Sequence, residues 1–508
     1  MEMNFEEHTK QQNNADRISV DLKTSEQHIK EIFANCQDII YERFHFGPSY
    51  EGSAAMIYCA PLTQEMDGGQ LNSALQDLVP ESGDMESIQI ENIREFFERR
   101  SSAFQSYELL TAYNEITEAV LDGYAILIFD GWDKVVSLDA GSVERRQVEE
   151  PTSEAVVNGP REGMVEQLDK NIALIRLRLR TPDLKIEMYQ AGTLTKTRFL
   201  VGYVDGKVDP SVLAELKKRL EGADKVDALD TNYIREFVED SVYSPFSQYR
   251  VTERPDVAVG SLLEGKIILM ADGTTSAMIC PTFFTELFQS AEDYYQRPVI
   301  STLIRFLRIA AFFIALTLPS LYIALSNFHP ELIPTTLLLK ILDTREGIPF
   351  PAFIEAVIMQ FFFELLREAG IRLPRPIGSA VSIVGCLIIG EASIRAGIAS
   401  PIMIIIISLT GMASFSMPQY ELAIALRILL FPLMVLAFMW GGFGLMIGYI
   451  LIFLHLATLR TLGKPFFSPI APMRMMQMLD VFVRVPTKLR MRAAAKAKRA
   501  ADLNTAKE

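Results

Sequence analysis

Histidine, cysteine and tryptophan are scarce in this chain of 508 residues, and their scarcity removes whole classes of chemistry. The five histidines, His8, His28, His45, His329 and His455, are dispersed, and neither His-Glu-x-x-His nor Gly-x-Ser-x-Gly occurs. The four cysteines, Cys36, Cys59, Cys280 and Cys386, form no closely spaced pair. That argues against a disulfide framework or a zinc knuckle and fits a reducing compartment. No Gly-x-Gly-x-x-Gly follows a strand pattern, so a dinucleotide fingerprint is missing as well. The sequence predicts no enzyme, no cofactor and no metal site. An early apolar run is also lacking. The chain stays polar from Met1 through Lys23, so no secretory signal is expected and residues 1–300 are expected in the cytoplasm.

What is present is unevenly distributed. Residues 1–303 hold 29 Lys/Arg against 52 Asp/Glu, a net of −23; residues 304–473 hold 11 against 8, and residues 474–508 hold 9 against 3. These nets of −23, +3 and +6 sum to the overall −14. Acid lies in the first part, while the apolar stretches and the tail are positive. A hydrocarbon core about 30 Å thick needs roughly 20 helical residues. Ile304–Ser326, Pro351–Leu366, Ile377–Ala392 and Ile398–Met417 read as spans or near-spans. Leu422–Leu456, broken by Gly441, Gly442 and Gly444, reads as a tight helical hairpin or one long bent helix. Three basic clusters set the orientation: Arg297, Arg305 and Arg308; Arg367, Arg372 and Arg375; and Arg484 through Lys498. All fall on one side if six spans are made, with five the alternative, and both termini are then cytoplasmic.

Ionisable groups inside spans cost on the order of 2.5–3.5 kcal/mol each at mid-bilayer on insertion scales. Glu355, Glu364, Glu391 and Arg427 are therefore candidates for a water-filled path or an intersubunit contact. Glu391 and Arg395 stand at i,i+4, and Glu364 and Arg367 at i,i+3, which makes an ion pair at a helix end the plainer reading for those two acids. Glu355 and Arg427 have no near partner in sequence. Gly378, Ser382, Cys386 and Gly390 form a stripe of small residues at helical spacing. Such a stripe lets helix backbones approach closely, within one bundle or between subunits.

The expected architecture is an α+β soluble N-terminal region of two subdomains, followed by an all-α polytopic membrane domain of 5–6 spans. Residues 1–24 are expected to be disordered, 25–145 and 146–300 to form the two subdomains, 301–473 the transmembrane domain, and 474–508 a basic cytoplasmic tail. Tyr124–Leu138 reads as a β-hairpin around Asp130-Gly131, residues suited to a type I′ turn. Val120–Gly131 aligns without gaps to Leu262–Gly273, including the Asp-Gly pair, which suggests a repeated hairpin. Between the two lies a Gly/Pro-rich stretch carrying Glu149, Glu150, Pro151, Gly159, Pro160, Arg161 and Gly163. It reads as a structured linker, with weak signs of an anion-binding loop.

That stretch, Val148-Glu-Glu-Pro-Thr-Ser-Glu-Ala-Val-Val-Asn-Gly-Pro-Arg-Glu-Gly163, with Asn171-Ile-Ala-Leu-Ile-Arg176, resembles the hallmark of the GerA family, the A subunits of bacterial spore germinant receptors. Phe328–Pro334, Arg345–Pro351, Leu366–Gly378 and Gly463–Pro472 resemble the family in the same order, across most of residues 100–475. One departure is Asn158, where the family usually carries a basic residue. The resemblance implies a non-enzymatic protein of the spore inner membrane, acting with a permease-like B subunit that binds the nutrient and a lipoprotein C subunit. It also implies a homo-oligomer, a pentamer, around an ion-conducting pore, and no nucleic-acid partner. Two alternatives stand beside it: a family member that assists ion or dipicolinate release, and a secondary transporter.

Overall fold

The computed structural model describes residues 16–46, 52–63, 90–98, 107–140, 150–151, 154, 156–374, 385, 388–473, 478, 481–486 and 488. The chain divides into two compact units. One comprises Met1–Ala155, Pro160–Val238 and Val251–Cys280; the other comprises Val156–Gly159, Glu239–Arg250 and Pro281–Glu508.

The first unit contains two five-stranded sheets built on one plan. In the first sheet, β1 (Ile39–Phe46), β2 (Gly52–Cys59), β3 (Tyr107–Leu110), β4 (Tyr124–Phe129) and β5 (Val135–Asp139) lie in the order β1-β2-β4-β5-β3. In the second, β6 (Leu184–Ala191), β7 (Thr197–Val204), β8 (Arg250–Thr252), β9 (Ile267–Ala271) and β10 (Ala277–Cys280) lie in the order β6-β7-β9-β10-β8. The helices recur in matching places. α1 (Leu22–Ile32) precedes β1; α2 (Ile90–Glu98) and α3 (Tyr113–Asp122) separate β2 from β4. α4 (Leu168–Arg176) precedes β6, and α5 (Pro210–Leu220), α6 (Thr231–Val238) and α7 (Pro255–Leu263) follow β7 and lead to β9.

The repeat extends to single hydrogen bonds. The Leu22 amide at the start of α1 donates to Asp130 Oδ1 at 3.1 Å, and the Leu168 amide at the start of α4 donates to Asp272 Oδ1 at 3.2 Å. The amide of Gly131 reaches Val20 O at 3.0 Å, and that of Gly273 reaches Glu166 O at 2.8 Å. Each Asp-Gly pair thus places a carboxylate at the N-terminus of the subdomain's first helix, where free amides and the helix dipole favour it. The glycines need their left-handed φ of 85° and 82°. The aspartates stay out of that region, which corrects the type I′ expectation. Ile128 pairs with Val135, so the connection is longer than two residues and only the glycine takes positive φ.

Both faces of the first sheet are covered. Ala55, Ile57, Ile126 and Ile128 face α1 and α3, while Ala54, Met56, Leu127 and Phe129 face α2 and Trp132. This two-sided burial explains the unbroken apolar run in β4 where a half-exposed strand would alternate. Residues 16–24, expected to be disordered, are ordered where described. Ile18 donates to Thr111 O at 3.2 Å, Ile18 and Leu22 are buried, and Asp21 caps α1.

The two sheets meet through the segment before β1. The Gln37 amide donates to Ile186 O at 2.9 Å and the Ile186 amide to Asn35 O at 3.1 Å. Beside this bridge the Arg176 guanidinium grips the Asp38 carboxylate through Nε and Nη2 at 2.8 and 3.0 Å, both side chains buried.

The second unit is helical: α8 (Glu292–Tyr295), α9 (Pro298–Phe328), α10 (Thr335–Arg345), α11 (Ala352–Arg372), a helical stretch at 388–395, α12 (Pro401–Phe415) and α13 (Tyr420–Thr458). Among the described residues, α9 and α13 are the two helices long and apolar enough to cross a membrane. α13 is not one rod. Gly441 has non-helical φ/ψ of 58° and −135°, and a Cβ on Gly448 would lie 2.3 Å from Leu433 Cδ2. Fifteen residues of straight helix would separate those positions by about 22 Å. The chain therefore folds back at Gly441, and the tight hairpin is the reading the structure supports. Phe328 at the end of α9 packs on that turn, 2.8 Å from where a Gly441 Cβ would be.

Candidate functional site in the helical unit

Glu355 sits in the first turn of α11 with its side chain fully buried. Its Oε1 accepts from the Ser400 amide at 2.6 Å and from Ser400 Oγ at 2.5 Å. Ser400 is the N-cap of α12, and its Oγ accepts in turn from the Met403 amide at 3.2 Å. Arg345 at the end of α10 approaches Glu355 Oε2 at 3.8 Å. One carboxylate thus ties α10, α11 and α12 together and places negative charge at a helix N-terminus. The sequence offered no partner for it because Ser400 is 45 residues away.

A second polar cluster involves the C-terminal half of α11. Glu364 Oε2 accepts from Arg427 Nη1 of α13 at 3.0 Å, and its Oε1 accepts from Gln360 Nε2 at 3.0 Å. The expected Glu364–Arg367 pair is therefore corrected. A residue of α13, 63 positions away, takes the carboxylate. Arg367 instead donates to Ser414 Oγ at 3.0 Å, with its guanidinium 5.0 Å from the Phe363 ring and 4.6 Å from the Phe415 ring. Each such cation–π contact contributes roughly 0.5–2 kcal/mol depending on desolvation. Phe363 is held by the absence of a side chain opposite: a Cβ on Gly411 would lie 2.2 Å from its Cζ.

Glu391 pairs with Arg395 at 2.5 Å, and both side chains are exposed. Of the small-residue stripe, Gly378, Ser382 and Cys386 lie outside the described residues. Gly390 is buried, and a Cβ there would meet Ile404 Cγ2 of the same chain at 3.7 Å, an ordinary contact. The basic flank of α9 is also changed by the fold. Arg308 makes a bidentate pair with Asp293 at 2.8 and 2.9 Å, and Arg305 Nε reaches the same carboxylate at 3.1 Å, all three groups buried. Two of the three arginines in this cluster are therefore paired inside the protein.

In the Gly/Pro-rich loop, Glu149 lies outside the described residues. Arg161 pairs with Glu150 at 3.3 Å, both exposed, so its charge is already compensated on the loop. Pro151 and Gly163 are buried. Gly159 has φ 120°, and a Cβ there would meet the Tyr295 ring at 2.7 Å. The residue organising this stretch is Arg254, buried, which donates to Pro160 O at 2.8 Å and Glu154 O at 3.4 Å while paired with Asp256 at 3.0 Å. Nothing in the local pattern singled it out, because its contacts are to backbone carbonyls about a hundred residues away. Among the described residues no group of three His, Cys, Asp or Glu could hold a metal ion.

Comparison with known proteins places these features. Residues 27–495 match the family model described as Bacillus/Clostridium GerA spore germination protein, which spans both units. The chain is 41% identical to the uncharacterized membrane protein YfkQ of Bacillus subtilis (strain 168), over 94% of this chain and 91% of that one. It is 38% identical to spore germination protein KA of the same organism, over 92% and 85%, and 34% identical to spore germination protein B1, over 93% and 96%. The crystal structure of the N-terminal domain of the A subunit of the Bacillus megaterium spore germinant receptor GerK3 aligns at 26% identity, over 53% of this chain and 97% of that one, with a TM-score of 0.40. This is a membrane protein and not an enzyme. The chain belongs to the GerA family of spore germination proteins, the A subunits of germinant receptors.

Proposed function

We propose that this chain is the A subunit of a nutrient germinant receptor in the spore inner membrane, where copies of it assemble around a cation-conducting path. The observation that carries this reading is the family match running without interruption through the helical unit, so that the likeness is not confined to the sheets. Six spans are the count, with α9, α11, α12 and the two arms of α13 five of them. Both termini are then cytoplasmic. The B and C subunits are the partners, and five copies the stoichiometry. The exposed Glu391–Arg395 pair supplies a contact between copies. Glu355, which fixes the start of α12, supplies the movable joint, with Glu364 and Arg427 as its counterpart in the second cluster. Nutrient binding to the B subunit drives opening only if the open assembly binds it more tightly than the closed one.

A second reading is an accessory family member that assists ion or dipicolinate release. Its support is the 41% identity to YfkQ, whose name assigns no germinant. Spores lacking this chain separate the two. Loss of response to one nutrient group supports the receptor; slowed release with every nutrient supports the accessory role.

A further inference from the structure

We infer that the α11–α12–α13 cluster around Arg367 binds the phosphate of an anionic phospholipid headgroup. Arg367 and Arg427 are both guanidinium cations, and among the described residues Glu364 is the carboxylate paired with Arg427. Two positive charges face one negative, and the Glu364 carboxylate is engaged by Arg427 and Gln360. Among the described residues, Arg367 is left with a hydroxyl and two ring faces. Its Nε and that of Arg427 are buried without a hydrogen-bond partner. A guanidinium presents its donors in a planar fork matched to phosphate oxygens, and unsatisfied donors of this kind favour such a ligand.

The surroundings select a lipid over a free ion. Arg367 lies in the last turns of α11, Ser414 and Phe415 in the last turn of α12, and Tyr420 at the first residue of α13. The cluster therefore sits where three helices begin or end, the depth at which headgroups lie and aromatic residues gather. Phe415, on which Arg367 lies, and Tyr420, on which Arg427 lies, are exposed, as is Ile371 one turn on from Arg367. Acyl chains can lie along that surface while the phosphate turns inward to Arg367. A long basic side chain at a helix end is placed for such contact.

The test uses the full chain in detergent and counts bound lipid by native mass spectrometry. The probes are short-chain phosphatidylglycerol, phosphatidylcholine of the same chain length, and inorganic phosphate. Phosphatidylglycerol should bind in preference to phosphatidylcholine, and Arg367→Gln should lower that preference about fivefold, the scale of one basic residue at an anionic surface. Arg367→Lys keeps the charge and should retain most of the preference. Arg372→Gln is the control, because Arg372 is exposed and already paired with Glu368 at 2.6 Å. Equal binding of both lipids overturns the inference, as does equal loss in the Gln and Lys variants. Inorganic phosphate competing fully at equal concentration overturns the lipid as source. Loss of the preference only when a partner subunit is added assigns the site to an acidic protein group and likewise overturns it.

Discussion

Asp38 and Arg176, 138 residues apart, meet in a two-point ion pair of 2.8 and 3.0 Å with neither side chain accessible to water. The pair lies where the first sheet's leading segment bridges to β6. Its burial also governs the neighbouring thiols. Burial pushes the Cys59 thiol well above its ordinary value, and the Asp38 carboxylate adds to that. Removing one partner of a buried pair leaves an uncompensated charge, at a cost of about 3–5 kcal/mol, whereas replacing both can be neutral. Asp38→Asn should lower the urea midpoint of the transition reported by Trp132, which is buried in the first sheet. Asp38→Leu combined with Arg176→Met should recover most of the loss. A double variant no better than the single one contradicts this account.

Asp130 and Asp272 make equivalent caps in the two subdomains. Each should cost about 1 kcal/mol on replacement by alanine. The costs should add, since distant sites with no shared partner behave independently. Denaturation of the two single variants and the double variant decides it. Very unequal single effects would show that the likeness is topological and not energetic.

The fold-back of α13 makes a distance prediction. Leu433→Cys with Gly448→Cys should form a crosslink under mild oxidation in the intact protein, because the wild-type positions are in contact. Positions about 22 Å apart in a straight helix cannot be bridged. Failure to crosslink, with both thiols shown to be reactive, would restore the single bent helix.

Much of this was legible in the sequence. The apolar strand before each Asp-Gly and the gapless alignment of Val120–Gly131 with Leu262–Gly273 marked the repeat, because these signals are local. The glycine run at 441–444 named both forms of α13 but could not choose between them. That choice depends on whether Gly444 and Gly448 receive the Leu433–Leu436 turn, a tertiary fact. Charge pairing shows the same limit. Glu391–Arg395 is one helical turn apart and was readable, while Glu364 preferred Arg427 to Arg367 and Glu355 found Ser400. The basic flank of α9 makes contacts that the local pattern did not show: Asp293, twelve residues before Arg305, pairs with two of its arginines.

Glu187 supplies a pH dependence in the second sheet. Burial alone would raise its pKa, but Lys217 at 2.7 Å, Tyr203 at 2.6 Å and Tyr189 at 2.9 Å all donate to it, holding the carboxyl below its ordinary 4.5. A lowered folded pKa contributes stability that is complete above the unfolded value and is lost as pH falls through the folded one. The stability gap between wild type and Glu187→Gln should therefore shrink as pH falls from about 7 to about 3. A gap constant across that range would show that the carboxylate's charge is not what stabilises the site.

Ion conduction is the central claim, and reconstitution tests it most directly. The chain, purified with its B and C partners and incorporated into planar bilayers, should carry a monovalent-cation current that rises when the cognate nutrient is added. It should carry much less when Glu355→Gln loosens the start of α12. An assembled complex that enters the bilayer, binds nutrient and passes no current would contradict the account.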